Sequence, residues 1–93
     1  MRLTKESAVE MARNDLSKRL DIDVAEVRET SVSDHEFRDM SLGAPENGEM
    51  AAQMISSGWK IELAANGETY EYRADKYHVR LHNFKGANYV IKA

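Results

Sequence analysis

The pair Asn66-Gly67 constrains the fold of this chain most strongly, because it favours the tight two-residue turn of a β-hairpin. The strand pairs predicted by counting outward from this turn are Leu63 with Tyr70, Ile61 with Tyr72 and Trp59 with Ala74. Because side chains alternate along a strand, all six lie on one face of the hairpin. This apolar face predicts an antiparallel sheet that a second layer must cover.

The opposite face of the predicted hairpin is charged, and we expect it to face solvent. Its side chains are those of Lys60, Glu62, Glu71 and Arg73. We expect attraction along the two diagonals, from Lys60 to Glu71 and from Glu62 to Arg73. The facing carboxylates Glu62 and Glu71 resemble a paired acid/base site, but the neighbouring cations and the solvent favour a surface role.

Length and composition predict a single domain over residues 1–93. The net charge of −3 and the dispersed basic residues argue against nucleic acid as a partner. No apolar run approaches the about 18 residues of a membrane span, so membrane insertion is not expected. The chain has no cysteine, which excludes disulfides and thiolate metal sites. The N-terminal residues lack an export signal, which predicts a cytoplasmic protein, or an exported one if a signal was removed.

The residues from about Thr4 to Leu20 predict an amphipathic helix. Thr4 suits the N-cap, and the basic pair Lys18-Arg19 suits the last turn. The predicted apolar stripe consists of Ala8, Val9, Ala12, Leu16 and Leu20, widened by Met11, and the predicted solvated face of Glu6, Glu10, Arg13, Asn14 and Ser17. We expect the stripe to cover the apolar face of the hairpin.

Further strands are predicted on both sides of the hairpin. Asp23 suits the cap of a short turn, after which the residues from Val27 to about Phe37 favour a strand. Alternation predicts another strand over Tyr77–His82, and the apolar residues Asn88–Lys92 predict a short edge strand. The predicted fold class is therefore α+β, with one N-terminal amphipathic helix packed on an antiparallel sheet of three to five strands.

One long irregular segment, RDMSLGAPENG over residues 38–48, is the candidate functional region. Loops of this length in a compact domain are usually functional or disordered, and methionine gives an adaptable contact surface. The candidate partner-binding residues are Met40, Ser41, Leu42, Gly43, Pro45, Glu46, Asn47 and Met50. The alternative is an ordered loop with a purely structural role. The residues Glu49–Ser57 that follow are ambiguous between strand and helix, and their β-rich context favours a strand.

Histidines and one Ser-Asp-His run are the candidate chemical groups. His78 and His82 share a face of a predicted strand but lie roughly 13 Å apart, too far for one metal ion. We interpret both as surface residues. In Ser33-Asp34-His35, alternation points the acid away from its two neighbours, so the geometry of a catalytic triad is not expected. The sequence therefore predicts no catalytic residue, metal ligand or cofactor site.

Two parts of the chain resemble known families. The opening helix LTKESAVEMARNDL and the ending NGETYEYRAD resemble the PepSY module, a helix with a small antiparallel sheet. The stretch SLGAPENGEMAAQMISSGWKIELAANGETYEY resembles a family of small, mostly uncharacterised prokaryotic proteins with a segment like SLGCPEPGMMYAQ. Ala44 stands where that family has cysteine, so no thiol role is expected. The PepSY resemblance implies a non-catalytic domain that restrains proteases or mediates contacts outside the cytoplasm.

Three hypotheses of function follow. The leading one is a small non-enzymatic binding module, inhibitor-like in one form, that presents the loop 38–50 to a protein partner such as a protease. The alternative is a small-ligand-binding protein or enzyme with a pocket between helix and sheet, involving His35, Glu36 and Tyr72. The third is a structural subunit or a homodimer joined edge to edge. The expected oligomeric state is a monomer or a weak homodimer. The edge around Tyr89–Ile91 offers a second contact surface, by strand addition.

Overall fold

The computed structural model describes residues 2–93, in which one helix precedes five strands. Helix α1 covers Lys5–Leu20, and a single 3-10 turn covers Val24–Glu26. The strands are β1 (Arg28–Phe37), β2 (Ser56–Ala65), β3 (Glu68–Asp75), β4 (Val79–Phe84) and β5 (Ala87–Lys92). They form one antiparallel sheet in the order β1-β2-β3-β4-β5. The predicted α+β class with an antiparallel sheet is confirmed.

The β2–β3 hairpin has the register that its turn predicts. The observed pairs are Leu63 with Tyr70, Ile61 with Tyr72 and Trp59 with Ala74. Asn66 and Gly67 adopt φ angles of 53° and 77°, the positive values that a type I′ turn requires. A β-carbon at Gly58 would lie 2.1 Å from the carbonyl oxygen of Ala74, so the close approach of β3 to β2 requires glycine there.

Helix α1 is capped at both ends. The Thr4 hydroxyl accepts a hydrogen bond from the Ser7 N–H, and the Ser7 hydroxyl accepts one from the Thr4 N–H. At the other end, Asp21 adopts the left-handed conformation with φ of 55°. The buried side chains of α1 join those of the sheet in one hydrophobic cluster. Its members include Ala8, Val9, Ala12 and Leu16 from α1, and Ile61, Leu63, Tyr72, Val79 and Leu81 from the sheet.

Two residues on the predicted solvated face of the helix are not solvated. Arg13 is half-buried, and its guanidinium donates to the backbone carbonyls of Val24 and Val27, each at 3.1 Å. Ser17 is buried, and its hydroxyl donates to the carbonyl of Asn14 at 3.0 Å. The prediction was wrong at these positions because both side chains form polar contacts that periodicity alone does not report.

The outer strands of the sheet are β1 and β5. Strand β1 is exposed along most of its length and contains a break in register between Glu29 and Ser31. Thr30 is the extra residue, and its hydroxyl donates to the carbonyl of Glu62 at 3.1 Å. Such a bulge twists an edge strand and makes it a poorer template for pairing.

Candidate functional site

Residues 38–55, which we call the arm, connect β1 to β2 although Phe37 and Ser56 already lie opposite each other. The arm therefore leaves and rejoins the sheet at one point, as an Ω-loop does. Three hydrogen bonds mark its path: Arg73 of β3 to the carbonyl of Leu42 (2.9 Å), Arg80 of β4 to that of Ala44 (3.1 Å), and Asn88 of β5 to that of Pro45 (2.8 Å). Because Arg73 and Arg80 alternate with core residues, the arm crosses the face opposite α1.

The beginning of the arm is folded around the carboxylate of Asp39. One oxygen of this group accepts hydrogen bonds from the Ser41 N–H (2.9 Å), the Ser41 hydroxyl (2.6 Å) and the Gly43 N–H (3.1 Å). These bonds, the one from the Ser41 hydroxyl above all, lower the pKa of Asp39. Sequence reasoning did not single out Asp39, although aspartate is a frequent first residue of turns.

Leu42 is buried on the sheet face and has an unusual backbone conformation. Leu42 and Gly43 have φ angles of 58° and 67°, and the Ala44 N–H donates to the Ser41 carbonyl. Left-handed backbone costs a non-glycine residue about 1–2 kcal/mol, whereas burial of a leucine contributes about 1.5–3 kcal/mol. Since Leu42 is fully buried, its burial offsets the strain. The φ angle of Gly43 favours glycine, and a β-carbon there would lie 2.7 Å from a guanidinium nitrogen of Arg73, so the end of that side chain would have to move.

The middle of the arm is bound to the sheet by Arg80. Its side chain is 7% exposed, and its two terminal nitrogens donate to the Glu49 carboxylate at 2.5 and 2.7 Å. This bidentate pairing combines charge with a fixed geometry. Donation from Arg80 is the main cause that lowers the pKa of Glu49 to about 2. Within residues 2–93, the Nε atom of Arg80 is buried without a hydrogen-bond partner.

The charged face of the hairpin is not the solvated surface that alternation predicts. Lys60, Glu71 and Arg73 are half-buried, and of the four predicted residues Glu62 alone is exposed. Neither predicted diagonal forms an ion pair among the described residues. Arg73 pairs instead with Glu71 of its own strand, at 2.6 Å. The prediction was wrong because it left this face uncovered, whereas the arm crosses it and accepts a hydrogen bond from Arg73.

The structure also corrects the interpretation of His78 as a surface histidine. His78 is 9% exposed, and its Nδ1 lies 3.0 Å from the Asp75 carboxylate, which also accepts from the Ser56 hydroxyl at 2.8 Å. Burial acts to raise the pKa of Asp75, but donation from the N–H groups of Tyr77 and His78 and from Ser56 outweighs it and lowers the pKa. This cluster stabilises the turn between β3 and β4. Serine and histidine both bind the same carboxylate, so the cluster lacks the serine–histidine–acid order of a catalytic triad.

The predicted contact residues on the arm fall into a buried group and an exposed group. Ser41 and Leu42 are buried against the sheet, out of reach of a partner. The exposed group consists of Met40, Gly43, Pro45, Glu46, Asn47 and Met50. Met50 is the extreme, with 96% of its surface accessible.

The end of the arm differs from its prediction as a strand. Strand β2 begins at Ser56, so residues 49–55 are irregular and the predicted strand Glu49–Ser57 was wrong over most of its length. The carbonyl of Ala52 accepts hydrogen bonds from the N–H groups of Met40 (2.9 Å) and Met54 (3.0 Å), which brings these two backbones together. The sequence signal was a shortage of β-branched residues, since Ile55 is the one such residue in this stretch.

Large exposed apolar side chains are concentrated on the arm. Five such side chains are exposed within residues 2–93, and the fifth, Tyr77, lies on the β3–β4 turn. The other four are Met40 (39% exposed), Met50 (96%), Met54 (60%) and Ile55 (72%), and we call them the exposed apolar strip. The predicted contact residues include Met40 and Met50 but not Met54 or Ile55, which lie in the stretch assigned to a strand, although the sequence does mark Met54 as one of three methionines flanking the loop.

The arm also reaches the outer edge of the sheet. The Glu46 carboxylate accepts a hydrogen bond from the N–H of Val90 in β5, at 2.9 Å. Val90 is the centre of the segment Tyr89–Ile91 that the sequence suggests for strand addition. Its N–H already has a partner, so the arm partly closes this edge.

The residues predicted for a ligand pocket between helix and sheet are not brought together. Tyr72 is fully buried, and its hydroxyl donates to Asp15 at 2.7 Å; burial above all raises its pKa. His35 and Glu36 line a separate open cavity of about 420 Å³ that also contains Trp59. A larger open cleft of about 670 Å³ lies between α1 and β1, and none of the three predicted residues lines it.

Across residues 2–93, no group of three or more histidine, aspartate or glutamate side chains is arranged to hold a metal ion. The helix in this part of the chain is too short and too polar to cross a membrane.

Comparison with known proteins gives a match to a protein family. A family model described as a domain of unknown function (DUF8738) matches residues 9–82, which include most of α1, the whole arm and most of β4. No curated protein and no solved structure matches the chain.

Proposed function

The chain belongs to the family DUF8738, and we propose that it is a small non-enzymatic protein-binding module. Its contact surface is the exposed apolar strip. The observation that carries this proposal is the concentration of exposed large apolar side chains on one connection between strands. Apolar residues scattered singly over a surface need no explanation, whereas a group of them indicates a contact site.

The arm is suited to binding because its backbone is anchored while its contact side chains are adaptable. Asp39 fixes its beginning, and the pairing of Arg80 with Glu49 fixes its middle. A partner therefore meets a backbone that is already ordered, which reduces the entropy lost on association. The flexible side chains of Met50 and Met54 can adjust to the partner's shape.

The test is affinity capture with matched variants. The strip variant carries Met50→Ser, Met54→Ser and Ile55→Ser, and the control carries Tyr77→Ser, which removes a comparably exposed apolar side chain outside the arm. We expect the native chain and the control to capture the same protein and the strip variant to lose it, with all three equally folded by thermal unfolding. Equal capture by the strip variant would overturn the proposal.

An inhibitor is one form of this proposal, supported by the exposed turn around Pro45. Asn88 binds the carbonyl of Pro45, and the Glu46 N–H donates to the Glu49 side chain at 3.0 Å, so this turn is braced on both sides. A braced turn can enter a protease cleft with little loss of entropy. The chain should then inhibit a serine, cysteine, aspartic or metalloprotease in a residual-activity assay. Full activity in all four classes would remove the inhibitor form and leave the binding module untouched.

A small-ligand site is a second candidate, favoured by the cavity that His35, Glu36 and Trp59 line together. It combines an aromatic surface with polar groups, as ligand sites do. Trp59 is the sole tryptophan of the chain, so its fluorescence reports directly on this cavity. In a fragment screen, a ligand should change the fluorescence of the native chain and lose affinity for a His35→Ala variant. A screen without any saturable change would contradict this candidate.

A further inference from the structure

We propose that the exposed apolar strip is a site of reversible methionine oxidation, at which a peroxide converts Met50 and Met54 to sulfoxides and weakens the contacts made there. The regulatory consequence rests on the proposed function. The modification itself does not, and it can be tested without a partner.

Sulfur in this chain is confined to methionine, since the sequence has no cysteine. The four methionines in the described part of the chain differ sharply in exposure. Met50 is 96% exposed, Met54 60% and Met40 39%, whereas Met11 is half-buried and packs against the hydrophobic core. Oxidation follows accessibility, so a peroxide reaches the strip before it reaches the core.

The strip methionines lie close together along the backbone. Met40 and Met54 donate to the same carbonyl, that of Ala52, and Met50 precedes this residue by two positions. Oxidation of these side chains therefore changes the surface of one segment, the arm. A sulfoxide is polar where the thioether is apolar, so an apolar partner loses contact area there.

The reaction is a two-electron oxygen transfer. The thioether sulfur attacks one oxygen of hydrogen peroxide, the O–O bond breaks as the S–O bond forms, and a proton shift releases water. The sulfur is oxidised and the peroxide is reduced. In repair, two thiols of a reductase system become a disulfide, the sulfoxide returns to the thioether, and its oxygen leaves as water.

Oxidation of the strip methionines should leave the fold intact. The arm is anchored by oxygen and nitrogen groups, those of Asp39, Arg80 and Glu49, and the side chains of Met50 and Met54 are outside the core. We therefore expect oxidation to alter the surface while the sheet and the arm keep their positions.

The test treats the full chain with graded hydrogen peroxide and locates the added oxygen by peptide mass spectrometry. Met50 should be oxidised first, then Met54 and Met40, with Met11 last. Retention on a phenyl column measures the apolar surface, and it should fall on oxidation and return after treatment with a methionine sulfoxide reductase. A variant with Met40→Leu, Met50→Leu and Met54→Leu keeps the strip apolar without its sulfur, so its retention should not fall.

Three results would overturn the inference. They are oxidation of Met11 as early as that of Met50, loss of thermal stability in step with the first oxidation, and unchanged retention of the oxidised native chain. If the strip variant shows that no partner binds there while oxidation and retention behave as expected, the proposed function fails and the oxidation site stands. If a partner binds equally well before and after oxidation, the modification lacks the regulatory consequence and the binding module stands.

Discussion

The two faces of the sheet are covered by different physical means. Helix α1 covers its face with apolar side chains such as Leu16, which meet Ile61 and Tyr72 in the hydrophobic cluster. The arm covers the opposite face with one deeply buried leucine, Leu42, and with hydrogen bonds from arginine side chains to backbone carbonyls. The stability of the helix face comes from buried apolar area and does not depend on the orientation of individual contacts. The arm face depends instead on the geometry of a few hydrogen bonds.

In this small domain, apolar packing is concentrated on the helix face, whereas the proposed contact surface belongs to the arm. An apolar face tolerates small shifts, because its energy is spread over many weak contacts. The arm depends on few bonds, and it is the element that carries the exposed apolar strip. We therefore expect substitutions on the helix face to act on the whole fold and substitutions under the arm to act locally.

The largest effect is expected from Leu16→Ala on the helix face. Leu16 is fully buried, so its truncation leaves a cavity and should cost about 3 kcal/mol or more of unfolding free energy. Urea unfolding followed by tryptophan fluorescence measures this loss. Lys18→Ala, an exposed change on the same helix, should leave stability nearly unchanged. A cost for Leu16→Ala as small as that of the control would show that the helix face is loosely packed.

A smaller and local effect is expected from Arg80→Met. The variant keeps the length of the side chain but removes its bonds to Glu49 and Ala44, and we expect a cost of about 1–3 kcal/mol. Amide hydrogen exchange should show lost protection in residues 39–49 while the β2–β3 hairpin stays protected. Arg38→Met changes an exposed arginine of the same arm and should leave the pattern intact. Uniform loss of protection would mean that arm and sheet unfold as one unit.

The two buried leucines should differ in whether glycine or alanine is the more destabilising replacement. Leu42 has a left-handed backbone, so Leu42→Gly should be less destabilising than Leu42→Ala, by about 1 kcal/mol. Leu16 is helical, so Leu16→Gly should be more destabilising than Leu16→Ala, by about 1 kcal/mol. Four urea unfolding curves measure both differences. The same order at both sites would contradict the backbone strain at Leu42.

The smallest effect is expected from acid, and again on the arm. The pKa of Glu49 is lowered from 4.5 to about 2, so its pairing with Arg80 stabilises the arm fully above pH 4.5 and is lost as the pH falls towards 2. The lowered pKa of Asp39 acts in the same direction. NMR shifts of the arm amides should therefore change across this window before those of the hairpin. In Glu49→Gln the contribution of Glu49 should disappear, and an unchanged acid response would contradict this account.

The sequence predicts the helix-covered side of this molecule well. The turn residues Asn66-Gly67 and a strict alternation determine the register of β2 and β3, because both act over short distances. Thr4 and Asp23 likewise mark the cap of α1 and the cap of the 3-10 turn through local hydrogen bonds. These signals depend only on neighbouring residues.

The arm side was less predictable, for a physical reason. Arg73 and Arg80 donate to carbonyls of Leu42 and Ala44, and every residue has a carbonyl, so no side-chain pattern identifies the acceptor. From the sequence alone, an arginine on a strand is predicted to be solvated, because the segment that covers it is not known. The candidate contact residues were therefore predicted in part: Met40 and Met50 are exposed, Leu42 is buried, and Met54 was assigned to a strand.

The bond between Glu46 and Val90 has a consequence for the order of folding. It joins residues 44 positions apart in sequence, farther apart than any paired residues of the sheet, of which Arg28 and Ala64 are the most distant at 36 positions. Contacts that close long loops tend to form late. Until the arm closes, the folding chain presents both a half-covered sheet face and the open edge of β5, the combination from which intermolecular aggregation starts. The arm that displays the apolar strip is therefore also the element that ends the aggregation-prone phase of folding.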